Sequence, residues 1–243
     1  VGTDVGEVRI DADLAASTVP PTTPPTTPPT DGSPNEISGS DADDLLIGTN
    51  SPDIIEAFGG DDTVAGSRGD DQILGGDGDD VLRGDGSSTQ AGVGGNDIIF
   101  GGSGNDRVGG KAGNDILSGD AGDDFIWGGD GDDIIMGVTG NDTLVGDNFA
   151  SGSGSDLFVF GSGDGTDTVL DFEVGIDRIG IVTGEFTFAE VTLTQDGTNT
   201  LLGISSTCET LAILNNVQAS ALGESDFVTV PDVSNPDEAL ALI

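Results

Sequence analysis

A chain of 243 residues has room for one or two domains, but this one carries 45 acidic residues against 6 basic ones, a formal net charge of −39. Such a surface repels phosphate, which excludes nucleic acid as a partner and disfavours anionic membranes. An apolar share of 34%, with 5% aromatics and 42 glycines, falls short of the roughly 45–50% of ordinary globular domains and excludes a large single core.

Histidine is absent and Cys208 is the only cysteine, which removes histidine catalysis, His-ligated zinc and intramolecular disulfides. The acids are mostly short, 36 Asp and 9 Glu. Aspartate beside glycine suits tight turns and oxygen ligation of hard cations better than it suits a solvated tail. No run of 18 apolar residues is present, so no transmembrane helix is expected.

Residues 1–17 alternate weakly from Val5 to Ile10 and are expected to end an upstream region. No charged-then-apolar leader opens the sequence, so the expectation is a removed leader or the C-terminal part of something longer. Residues 18–38 contain TVPPTTPPTTPPT. Proline fixes φ and removes donors, which predicts an extended polyproline II linker.

From Gly39 to Val159 the sequence repeats every nine residues, in twelve blocks with interruptions at Gly84–Ala91 and Gly146–Ala150. Position six is Asp in every block: Asp44, Asp53, Asp62, Asp71, Asp80, Asp97, Asp106, Asp115, Asp124, Asp133, Asp142 and Asp156. Position eight is always apolar, from Leu46 and Ile55 through to Phe158, and position four is Gly except at Ala42 and Ser51. Glycines let a sharp turn direct several carbonyls inward, and the aspartate adds a carboxylate. Calcium takes about 6–8 such hard oxygens, so these twelve aspartates and the turn carbonyls are the candidate ligands.

A three-residue strand with one apolar side chain buries little alone, so stacking must build the core. A cation between turns n and n+2 gives about seven sites if the interruptions break the stack and about ten if they do not. Without metal, so little core and so much charge predict a disordered chain; with it, binding free energy becomes folding free energy. Positions seven and nine should point outward. That places Ile98, Phe100, Ile116, Ile134 and Met136 on one face, expected to be covered by another part of the chain, and Arg107, Phe125, Trp127, Thr143 and Val145 on the other.

The nonapeptide resembles the RTX, or haemolysin-type calcium-binding, repeat G-G-x-G-x-D-x-U-x, where U is a large apolar residue. The resemblance implies an all-β fold: a right-handed parallel β-roll, a calcium-stabilised solenoid, with two repeats per coil over residues 39–159. Phe160 to Ile181, with Asp167, Asp171, Phe172, Gly175, Asp177 and Ile179, resembles the segment after the roll in serralysin-type domains. It leaves open whether Asp171 and Asp177 bind metal or form turns. Within 160–230, Phe186–Thr194 and Thr200–Ile204 flank a hairpin signal at Asp196-Gly197, and Thr210–Leu214 reads as a further strand, which predicts a small antiparallel capping β unit. Residues 231–243 end in an acid followed by Ala-Leu-Ala-Leu-Ile, which resembles a type I secretion signal.

No catalytic motif is found: no nucleophile elbow, no P-loop, no EF-hand register, and no basic partner beside Cys208. The expectation is a non-enzymatic, calcium-binding module, secreted and extracellular, with the cell surface as its second location. It would fold on calcium outside the cell and support type I secretion and stability of a larger exported protein, with room for a catalytic domain upstream. The alternative is an extracellular adhesion or matrix scaffold using the loaded roll.

Overall fold

The computed structural model describes residues 33–86, 94–147 and 154–231; the expected upstream region, most of the linker and the C-terminal tail lie outside the described residues. Two sheets face each other. One holds β1 (Asn35–Ser40), β3 (Asp53–Gly59), β5 (Gln72–Asp77), β7 (Ile98–Ser103), β9 (Ile116–Ala121), β11 (Ile134–Thr139), β13 (Leu157–Phe160), β15 (Arg178–Val182) and β19 (Phe227–Val230), in that spatial order. The other runs from β2 (Leu45–Ile47) through β4 (Thr63–Ser67), β6 (Val81–Asp85), β8 (Arg107–Ala112), β10 (Phe125–Asp130), β12 (Thr143–Asp147) and β14 (Asp167–Val169). It ends on β18 (Glu209–Leu214), β17 (Asn199–Ile204) and β16 (Val191–Asp196).

Each strand pairs in parallel with the strand two repeats away, as Ile73 with Ile99 and Val108 with Ile126. Two nonapeptides therefore make one coil, and alternate repeats lie on opposite faces, as expected. All twelve position-eight side chains are fully buried between the sheets. Val169 and Ile179 prolong this row beyond the repeats, and Phe172 packs against Phe158 with ring centroids 6.0 Å apart.

The strands are longer than the three residues expected. Most run from position seven of one block to position two or three of the next, as Gln72–Asp77 does. The ladder passes through the position-two glycines, Gly76 pairing with Gly102, although Gly76 has φ 113°. Only positions four to six form the turn proper.

The interruptions also differ from their expected bounds. Gly84 and Asp85 end β6, and Gly146 and Asp147 end β12, so the strands run two residues into each interruption, and the stack continues across both. The roll begins at Asn35 in β1, inside the stretch assigned to the linker.

The C-terminal unit is only partly antiparallel. β16–β17–β18 form an antiparallel meander whose hairpin loop is Gly197-Thr198, while β14, β15 and β19 carry on the parallel pairing of the roll. Residues Phe188–Glu190 form a short 3₁₀ turn where a strand was expected.

Outside the roll a second apolar cluster gathers Ile98, Phe100, Ile116 and Met136 with Val159 and Val230; Ile134 and Val182 are partly buried against it. The expected outer patch is therefore not solvent-exposed, and the C-terminal unit contributes Val182 and Val230 to it. On the opposite outer face Val145 is buried, while Arg107 is exposed and Phe125, Trp127 and Thr143 are half-buried.

Candidate metal centre

The position-six aspartates immediately precede the strands, Asp53 opening β3 itself, and each backbone N–H donates to Oδ1 of the position-six aspartate one coil further on. One edge of the roll carries the series Asp53, Asp71, Asp97, Asp115, Asp133, Asp156. The other carries Asp44, Asp62, Asp80, Asp106, Asp124, Asp142. The donor–acceptor distances run from 2.6 Å at Asp44 to 3.0 Å at Asp133. Both series cross the insertions unbroken.

The second oxygen is what gives these turns a chemistry. In Asp62, Asp71, Asp80, Asp97, Asp106, Asp115, Asp124, Asp133, Asp142 and Asp156, Oδ2 is buried and receives no hydrogen bond. In all of these but Asp62, whose block opens on Ala57, it lies beside a glycine, at position one of the same block or, for Asp97 and Asp156, at Gly84 and Gly146. A Cβ built on Gly66 would overlap both Asp71 Oδ2 and the Gly84 carbonyl oxygen; Gly101 stands in the same relation to Asp106 and Gly119, and Gly128 to Asp133 and Gly146. Acceptors thus face one another with no donor between them, which is unfavourable unless a cation joins them.

The electrostatics agree. Burial, reinforced by neighbouring carboxylates, lifts Asp71 to about 9 and Asp97, Asp124 and Asp156 to about 8, against the ordinary 3.8. Asp62, Asp106 and Asp133 rise to about 7, and Asp80 to about 6, again chiefly through burial. The N–H of the preceding coil opposes each rise without cancelling it. Among the described residues no three carboxylates converge on one point, so a cation held here must complete its shell with turn carbonyls, which suits calcium.

The twelve aspartates are not equivalent. Asp44 is half-buried and bonded by Ser40 Oγ at 2.8 Å. Asp53 is buried, but both its oxygens are engaged, by Thr49 N, Thr49 Oγ1 and Asn35 Nδ2. Asn35 is the position-six residue of a degenerate block that begins before Gly39, and its amide ends the carboxylate series with a donor.

Sequence reading missed three features. Asp167 and Asp177 extend the two series, accepting the N–H of Asp142 and Asp156 at 3.1 Å each. Asp177 Oδ2 also takes the Glu173 N–H within a local turn, whereas Asp171 takes the N–H groups of Gly146 and Asp147 and so ties its loop to the end of β12. Last, position five carries a ladder of opposite polarity, in which Asp61 accepts from Asp79, Asp79 from Asn105, and Asn105 from Asp123. The signal was present, since position five is Asp or Asn in ten of twelve blocks.

A solenoid of two-repeat coils, with glycine turns that hold buried carboxylate and carbonyl oxygens along both edges, is a parallel β-roll built for hard cations. The RTX calcium-binding nonapeptide repeat matches the chain in four copies, overlapping in two pairs, at residues 38–73 and 56–88 and at residues 91–117 and 109–144. Over that stretch the chain consists of RTX calcium-binding repeats. Among solved structures, the extracellular lipase LipA from Serratia marcescens is similar at 19% identity and a TM-score of 0.43, over 82% of this chain and 40% of the lipase. The AlgE6R3 subunit of the mannuronan C5-epimerase from Azotobacter vinelandii is similar at 23% identity and a TM-score of 0.26, over 78% of this chain and 80% of the subunit. The chain thus spans less than half the length of the lipase. No curated protein matches it.

Proposed function

We propose that this chain is a calcium-dependent folding module of an exported protein, held unfolded by its own charge until calcium enters the turns. The observation that carries this is the set of ten buried Oδ2 atoms without donors. Their aspartates, with position-one and other turn carbonyls, are the assigned ligands; Asp44 and Asp53, already satisfied by hydrogen bonds, are secondary. The continuity of both ladders across the insertions favours about ten ions over about seven.

Calcium is scarce in cytosol and plentiful outside. A chain with this composition can therefore pass an exporter unfolded and fold on arrival, when binding free energy becomes folding free energy. Type I secretion machinery is the fitting partner, and an upstream domain of the same precursor is the fitting cargo. The alternative, an adhesive scaffold, gains nothing from the apolar outer face, which is buried.

Circular dichroism of the full chain in EGTA tests the reading. Mostly coil is expected, with β signal appearing as free calcium approaches about 10⁻⁴–10⁻³ M, the range of extracellular sites. Magnesium should substitute poorly, because it demands octahedral geometry and releases water reluctantly. A chain equally folded and equally heat-stable in EGTA would sink the idea.

A further inference from the structure

Both insertions open on the same dipeptide, Gly84-Asp85 and Gly146-Asp147, and neither aspartate belongs to the position-six series. Asp85 stands at position two, yet it is only 2% exposed. Its Oδ1 accepts the Gly95 N–H at 3.3 Å. In regular turns that position-four N–H goes to a position-three carbonyl, as Gly104 to Ala121 at 2.8 Å and Gly113 to Asp130 at 2.9 Å. The Asp85 side chain has therefore taken the donor that the pattern would give to Ala112.

Asp85 Oδ2 receives no hydrogen bond, while the Ala112 N–H, like that of Gly95, acts on the carboxylate. This Oδ2 lies against the Ala112 carbonyl oxygen, because a Cβ built on Gly94 would overlap both atoms at once. A buried carboxylate oxygen facing a carbonyl oxygen is the same arrangement found at the position-six sites, made here from different residues. The positive groups acting on Asp85 are Lys111 and Arg68, and the Lys111 ammonium donates to Gly86 O at 3.1 Å. Asp147, at the second insertion, shares one of these features, a buried Oδ1 that has no donor. Asp120 is the contrast. It too occupies position two, but it accepts from Ser118 Oγ at 2.5 Å and from the Gly102 backbone.

We propose that Asp85 is a calcium ligand outside the nonapeptide pattern, holding with the Ala112 carbonyl an additional ion at the base of the first insertion. The proposal rests on the calcium reading of the roll and goes beyond it, since position two is not part of the repeat's acidic set. The ion would tie β6, β8 and the start of β7 together where the insertion interrupts the turn.

The test is equilibrium dialysis of the full chain against calcium, followed by metal analysis, for wild type, Asp85→Asn and Asp120→Asn. Asparagine keeps an acceptor for Gly95 and loses the charge. Asp85→Asn is expected to bind one calcium fewer than wild type and Asp120→Asn the same number; an undiminished count in Asp85→Asn overturns the proposal. If Asp85→Asn does not fold at any calcium level, Lys111→Met decides. Removing a competing cation should leave the calcium midpoint of folding unchanged or lower it, whereas a rise would make the lysine the counterion of Asp85 and overturn the proposal. A wild-type chain that bound no calcium would instead overturn the reading of the whole roll.

Discussion

A single aspartate in this chain does two jobs with two oxygens. Oδ1 ties one coil to the preceding one, and Oδ2 is left in a dry turn facing carbonyls. Asp115→Ala and Asp124→Ala remove both functions where the stack is complete on either side. Each should shift the calcium midpoint upward and lower the cooperativity of folding, followed by circular dichroism during titration. Asp53→Ala should do less to calcium cooperativity, because Thr49 and Asn35 already occupy its oxygens. Equal effects from all three would show the ligand register to be wrong. Asp147→Ala should also weaken calcium binding, although Asp147 lies in an interruption of the repeat, since it ends β12 with a buried, donorless oxygen. Glycine is equally constrained at position four. Gly122 has φ 145°, and a Cβ there would overlap the Gly104 carbonyl oxygen. Gly122→Ala should cost roughly 1–3 kcal/mol from backbone conformation alone, with the overlap in addition, read by thermal unfolding in saturating calcium.

At the scale of the strand, the nine-residue period made the coil, the buried row and the ladder aspartates legible, because each repeat must present one apolar and one acidic side chain at fixed places. Strand length was not legible. Glycine normally interrupts strands, and only the stacked neighbours show that Gly76 and Gly102 stay paired. The insertion boundaries were within reach, because Gly84 and Gly146 still fall nine residues after Gly75 and Gly137; the period persists for two residues past each apparent break. Asp167 and Asp177 escaped because they follow at spacings of eleven and ten. The outer face was read from alternation alone, and the burial of Phe100, 3% exposed, gives it an energetic meaning. Phe100→Asp buries a charge in an apolar cluster, so it should lower the melting temperature in calcium by several degrees. Light scattering of the same variant should show the wild-type mass distribution; a loss of large species instead would mean that the face joins copies of the chain.

For the whole molecule, the net charge of −39 is tolerable only because the fold concentrates it where something can neutralise it, and a proton can do so as well as calcium. Without cations the ladder carboxyls titrate from about 6 at Asp80 to about 9 at Asp71 in the roll, but near 3.8 in the unfolded chain. Between those values the folded state holds more protons than the unfolded one, so calcium-free stability must fall as pH rises through that window. Below it both states are protonated and the penalty disappears. In EGTA, β signal is therefore expected to grow as pH is lowered from 8 toward 5, staying above the pI of about 4.1 where vanishing charge favours association. Protons and calcium also compete for the same oxygens, so the calcium midpoint should rise over the same fall in pH. A far-UV spectrum in EGTA that did not change between pH 8 and 5 would mean that the buried carboxyls are not what keeps the calcium-free chain unfolded.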